Sequence, residues 1–268
     1  MSMSDNYKII VFDLDETLGY FQELSYFIDA IENILNTKIT NEHFYDILDR
    51  YPEFLRPNIL TILNLIKRKK QRNSMIKVMI YTNNQNPKQW VLDIKDYFNY
   101  KLKYNLFDKV IAAFKVNGEQ IELGRTTHEK TYSDFIKCTK LPKKTKICFI
   151  DDQHHQGMVN DNVYYIKVKP YTYTINYEIM AERYYTYNYK KYNNNSYINE
   201  DTFVNNVIDY MNSIRLPIYD KSNEELNIDN IVSKTIMYHL NTFLYEKINE
   251  KSQKIKSRYK RNKTLKIY

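Results

Sequence analysis

Lys8-Ile9-Ile10-Val11-Phe12-Asp13-Leu14-Asp15-Glu16-Thr17-Leu18-Gly19 is the stretch on which the reading of the chain turns. Its apolar run, residues 9–12, has the length and continuity of a strand buried on both faces. That strand must end where the carboxylates begin. Side chains two apart on an extended chain share a face, so Asp13 and Asp15 can converge on one spot while Leu14 points into the core. Two carboxylates and the Thr17 hydroxyl at such a terminus suit a metal ion and a phosphoryl group.

Competing meanings of the stretch fit less well. A solvated acidic turn explains an Asp-x-Asp-x-Thr pattern in a loop, but here a buried strand stands in front of it. A calcium-binding EF-hand needs Gly where Leu18 stands and a bidentate Glu where Leu24 stands. A glycine-rich nucleotide loop is ruled out because the four glycines, Gly19, Gly118, Gly124 and Gly157, are scattered.

At 268 residues the chain can hold one α/β domain with an ample core and an appendage. Cys138 and Cys148 make no metal-ligand spacing and fit a reducing compartment. Residues 1–6 lack an apolar signal region, and no apolar stretch approaches membrane-spanning length. The expectation is a soluble intracellular protein with no membrane partner, cytoplasm and nucleus being left open. Much of the formal net charge of +8 sits in a basic tail, residues 251–268, where every charged residue is Lys or Arg. Such a tail is either solvated or a binder of nucleic acid or anionic surfaces. The 27 tyrosines are compatible with compositional bias alone.

The rest of the chain alternates apolar strands with amphipathic helices. Periodicity predicts helices over 22–36 and 41–49, a small helical insertion after the first strand, and a further helix opened by Arg56-Pro57. A second strand, 76–81, ends at Thr82-Asn83, and a third is predicted over 109–114. Val116-Asn117-Gly118-Glu119 is a hairpin signal. Lys130 stands at a helix start, where an ammonium can complete an anion pocket. The fourth strand, 146–150, delivers Asp151-Asp152, two carboxylates that repel each other unless a cation balances them. A fifth strand covers 163–168. His154 and His155 have no cysteine partner for zinc and read as loop residues. Tyrosines beside Lys190-Lys191 could stack bases or reflect local bias. Two helices follow, over 201–213 and after a capping box at Ser222-Asn223-Glu224-Glu225, the second with Ile228, Ile231, Val232, Ile236, Leu240, Phe243 and Leu244 on its apolar face.

Asp13, Asp15, Thr82, Lys130, Asp151 and Asp152 stand in the order of the four motifs of haloacid dehalogenase-like (HAD) phosphatases, which the chain resembles over roughly residues 7–170. Asp-Leu-Asp-Glu-Thr-Leu, Arg56-Pro57 and the Asp151-Asp152 pair are most similar to the FCP/SCP, or NLI-interacting-factor-like, branch. It departs from that branch at Asn83, at Gln153 and in its helical insertion.

The resemblance implies a HAD-like Rossmannoid three-layer α/β/α fold with a five-stranded parallel sheet, the helical insertion and a C-terminal helical appendage. The expected division is a core at 1–170 with its insertion at 20–55, Tyr/Asn-rich segment and helices at 171–250, and tail at 251–268. It further implies Mg²⁺ held by Asp13, Asp15, Asp151 and Asp152, a nucleophile at Asp13, an acid/base at Asp15, and phosphate binding by Thr82, Asn83 and Lys130. Activity would be phosphomonoester hydrolysis through an aspartyl-phosphate, on phosphorylated serine or threonine of a protein, or alternatively on nucleotides, sugars or polynucleotide ends. A third alternative keeps the fold as a scaffold for nucleic-acid binding through the tail.

Overall fold

Six parallel strands form the main sheet in a computed structural model that describes residues 7–193, 198–245 and the backbone of 264–266. In chain order the strands are β1 (Lys8–Phe12), β2 (Ile76–Tyr81), β3 (Lys109–Ile111), the small separate hairpin β4 (Lys115–Val116) and β5 (Glu119–Gln120), then β6 (Lys146–Asp151), β7 (Val163–Lys167) and β8 (Thr264–Lys266). The sheet order is β3-β2-β1-β6-β7-β8. From β1 the chain fills one side with β2 and β3 and then crosses to the other with β6 and β7. The reversal between β1 and β6 opens a crevice at the carboxyl ends of those strands, the usual ligand position in open parallel sheets.

Alternation along the strands builds two cores. Ile10, Phe12, Val78, Ile80, Cys148, Ile150 and Ile166 face one layer of helices, and Ile9, Val11, Met79, Tyr81, Ile147, Phe149 and Tyr165 face the other. The larger layer holds α1 (Phe21–Leu35), α2 (Asn41–Arg50), α3 (Ile59–Arg72) and α4 (Lys88–Leu102), whereas α5 (Tyr132–Thr139) covers the opposite face. Beyond β7 come α6 (Tyr177–Tyr184), a π-helical turn at Tyr185–Tyr189, the short α7 (Lys190–Tyr192), α8 (Glu200–Ile214) and α9 (Asn223–Tyr245). Helices α6, α8 and α9 bury Met180, Phe203, Val207, Ile236 and Leu240 in the same cluster as α1–α4, so the C-terminal helical appendage is part of the larger layer. Each such fully buried apolar side chain contributes about 1.5–3 kcal/mol.

The five strands expected from sequence are all present, and Thr264–Lys266 adds a sixth against Tyr165, Ile166 and Lys167. The remainder of the basic tail lies outside the described residues. The third strand stops at Ile111 rather than at 114, because the chain turns there into the hairpin, where Asn117 and Gly118 both take positive φ. Pro57 lies before α3, whose start is set by Asn58 in the left-handed region, φ 62°. In the tyrosine-rich segment most rings are used in packing: Tyr184 bonds His43 Nε2 at 2.9 Å, Tyr192 bonds Asp46 at 2.6 Å, and Tyr184, Tyr185 and Tyr189 pack around Phe203. Cys138 and Cys148 are free, buried thiols. Among the described residues no helix is long and apolar enough to cross a membrane.

Candidate active site

Asp13 follows the last residue of β1 and Asp151 is the last residue of β6, so the sheet register itself sets their separation across the crevice. Asp13 continues the pairing through its backbone N–H, which donates to Ile150 O at 2.9 Å. Carboxylate oxygens of Asp13, Asp151 and Asp152 all lie within 4.8 Å of one another. Asp13 is only 6 % exposed and Asp151 is not exposed at all.

One cation stands among these acids. Lys130, 2 % exposed, pairs with Asp13 and with Asp151 Oδ2, the latter at 2.7 Å. It precedes Thr131, the residue that caps α5 by accepting the Asp134 amide at 3.1 Å. Gly157 packs on this segment so closely that a Cβ there would lie 3.0 Å from Lys130 O. Asp151 is further fixed by the Gln153 amide at 2.8 Å, and His155 Nε2 lies 3.5 Å from its Oδ2. Asp152 accepts from Thr17 Oγ1 at 3.2 Å and from Gln153 Nε2 at 2.6 Å, while its own N–H donates to Thr17 Oγ1 at 3.1 Å. Thr17 therefore ties the motif turn to the fourth strand end.

Burial dominates the electrostatics. It raises Asp13 well above the ordinary carboxylate range, helped by Asp151, Asp152 and Asp15 and opposed by Lys130. Asp15 and Asp152 are raised for the same first reason. Burial also pushes Asp151 upward, but Lys130 and His155 together outweigh it and hold this carboxyl below its usual value. Lys130 is held up by its two carboxylate partners against the pull of desolvation. The site thus has more buried negative charge than its lysine balances. Oxygen donors alone, three of them converging, together with this surplus, fit a hard divalent cation such as Mg²⁺.

Asp15 lies beside this group rather than in it. Its Oδ2 accepts from Asn84 Nδ2 at 2.8 Å, and its Oδ1 is buried with no hydrogen-bond partner. Thr82, at the end of β2, is buried and its Oγ1 accepts the Asn84 amide at 3.0 Å. Asn83, expected at the phosphate position, instead presents Oδ1 to Arg125 Nη2 at 2.7 Å. Arg125 is itself buried and also donates to Thr82 O and Ala112 O, both at 3.0 Å, bracing the end of β2. The sequence reading missed Asn84 and Arg125. The run Asn83-Asn84-Gln85-Asn86 carries no periodicity to say which amide faces inward. His155 lies in the loop after β6, as expected, and is buried there between Asp151 and Glu129, whose Oε1 is 3.3 Å from Nδ1.

No family model matches the chain, and no curated protein does. Among solved structures, it is similar to a crystal structure of a mutant of CbbY from Rhodobacter sphaeroides in complex with xylulose-(1,5)-bisphosphate. That match has 13 % identity and a TM-score of 0.30, covering 54 % of this chain and 77 % of the other.

Proposed function

We propose that this chain hydrolyses phosphate monoesters through an aspartyl-phosphate on Asp13, as a HAD-type phosphatase. The observation that carries the reading is the convergence of Asp13, Asp151 and Asp152 around one buried lysine at the switch point of a parallel sheet. A carboxylate of Asp13 attacks phosphorus in line; its O–P bond forms as the ester P–O bond breaks. Asp15 gives its proton to the departing ester oxygen and then takes one from the water that cleaves the aspartyl-phosphate, restoring Asp13. Burial favours the protonated form of Asp15 that the first step needs, and Asn84 holds Oδ2 so that Oδ1 is the oxygen left to carry the proton. Asp13 is raised by burial as well, and the ionised form that attacks is favoured by Lys130 and would be favoured further by a bound cation. Lys130 binds phosphoryl oxygens, and Thr82 Oγ1, already an acceptor from Asn84, has its own hydrogen to donate to them. Mg²⁺, held by Asp13, Asp151 and Asp152 with the Asp15 carbonyl, would supply the charge neutralisation that lets a phosphoryl dianion approach a carboxylate.

For substrate we propose a phosphorylated serine or threonine within a protein segment, on the resemblance of Asp-Leu-Asp-Glu-Thr-Leu and Arg56-Pro57 to the FCP/SCP branch. The test is phosphate release from p-nitrophenyl phosphate with Mg²⁺ or EDTA, for the native chain and Asp13→Asn, followed by phosphopeptides, sugar phosphates and phosphorylated DNA ends. Magnesium-dependent turnover that falls by about 10⁴-fold or more in the variant is expected. Turnover surviving in Asp13→Asn would sink the mechanism, and sugar phosphates outpacing phosphopeptides would sink the substrate.

A further inference from the structure

The motif turn is held from behind by a second buried charge cluster that the mechanism does not use. Arg56, 1 % exposed, donates from Nε to Thr17 O at 2.6 Å and from Nη2 to Glu16 O at 2.5 Å and Lys169 O at 2.8 Å. Its backbone N–H donates to Leu18 O at 3.1 Å, and Tyr171 N–H donates to Glu16 O at 2.8 Å. Glu16 needs these supports because it is a non-glycine residue in the left-handed region, φ 55°. The same arginine leaves Nη1 buried and without a hydrogen-bond partner.

Helix α9 supplies the opposite charge. Asp229 is fully buried on it, bonded to Lys221 and 3.9 Å from Lys169 Nζ, and its Oδ1 has no hydrogen-bond partner. Next to it, Asn230 Oδ1 accepts from Asn58 Nδ2 at 3.0 Å, joining α9 to the Arg56-Pro57-Asn58 loop directly. Tyr171 lies between two cations of this rear cluster, with Lys221 4.5 Å and Arg56 5.6 Å from its ring centroid. Burial draws Arg56 down to about 10, and Asp229 is the foremost of the charges that oppose it.

We propose that Asp229 is a positioning residue which, through Arg56, fixes the turn formed by residues 13–19 and so the aim of the Asp13 and Asp15 carboxyls. The C-terminal helix is in this view a working part of the site, although it lies outside the segment that carries the motifs. The catalytic consequence rests on the phosphatase reading; the structural lock does not.

Asp229→Asn leaves Lys221 buried without its counter-charge, so the informative variant is Asp229→Asn with Lys221→Met, in the full chain. Two readouts separate the alternatives. In hydrogen exchange, the Leu18 and Tyr171 amides, bonded to Leu14 O and Glu16 O, are expected to exchange about tenfold or more faster, with those of β1 and β6 unchanged. In steady-state hydrolysis, kcat is expected to fall about ten- to a hundredfold with KM little altered, since misaim of the reacting groups costs rate rather than binding. Unchanged exchange at Leu18 and Tyr171 overturns the proposal, as does a kcat that returns to the native value in the double variant. If the native chain shows no turnover, the phosphatase reading fails by itself, and the exchange readout still decides the lock.

Discussion

Two buried ionic clusters lie on either side of the same turn, and they are unbalanced in opposite directions. In front, Lys130 faces Asp13, Asp151 and Asp152, and acid exceeds base. Behind, the buried Arg56 and the nearly buried Lys221 are set against one fully buried carboxylate, Asp229, so among the buried side chains base exceeds acid. The excess behind is absorbed by carbonyl oxygens of Glu16, Thr17 and Lys169, which are permanent parts of the chain. The excess in front has no such internal sink, and burial first, with the neighbouring acids adding to it, raises the three carboxyls Asp13, Asp15 and Asp152. A structural cluster settles its charge within the protein, whereas a site for an ion or phosphoryl group keeps a surplus for the ligand to settle.

The sharpest way to break this contrast is to neutralise one charge on each side and follow unfolding without divalent cation. Arg56→Met should cost about 3–5 kcal/mol, because three carbonyls lose their buried donor and Asp229 loses a neighbouring positive charge. Asp13→Asn should raise the midpoint instead: a carboxyl whose folded pKa is raised stabilises only at low pH and costs stability as pH rises through that value. Two shifts of the same sign at neutral pH would dissolve the distinction.

A further buried acid, outside both clusters, sharpens the point. Glu23 on α1 accepts the Ile175 amide at 3.1 Å, while its Oε2 has no partner, and burial raises it to about 7. Its contribution is present below the unfolded value near 4.5 and is lost as pH rises through about 7. Glu23→Gln keeps the acceptor for Ile175, so it should stabilise by about 2 kcal/mol at pH 8.5 and by almost nothing at pH 4. Urea midpoints at the two pH values decide this. The smallest effect is expected at the entrance to α9, where Ser222 and Glu225 form the capping box expected from sequence. Ser222→Ala should cost about 1 kcal/mol in thermal unfolding, without the rate loss expected at Asp229.

The front cluster was legible in the sequence and the rear one was not. An apolar strand ending in Asp13 or Asp151 announces its carboxylate by contrast with what precedes it. Lys130 and Thr82 become readable once those strands are placed, because each begins or ends an element at the same edge. Asp229 has no such contrast. Within Ile228-Asp229-Asn230-Ile231 the helical stripe assigns the isoleucines inward and the aspartate to solvent, yet Asp229 is fully buried and Ile231 is 58 % exposed. What reverses the assignment is the cationic group of Arg56 and Lys221, drawn from distant parts of the chain, and no local period encodes it. Arg56 itself was noticed as part of a motif, but its three carbonyl bonds belong to the fold.

Strand β8 has a bearing on solubility. By pairing with Tyr165, Ile166 and Lys167, residues 264–266 occupy the outer ladder of β7, whose peptide groups would otherwise face outward as a template for any passing extended chain. A protein clipped ahead of residue 264 would keep its carboxylates, its lysine and its rear lock, and yet gain an adhesive side. Loss of these few residues would then show first as self-association and only secondarily as a change in chemistry.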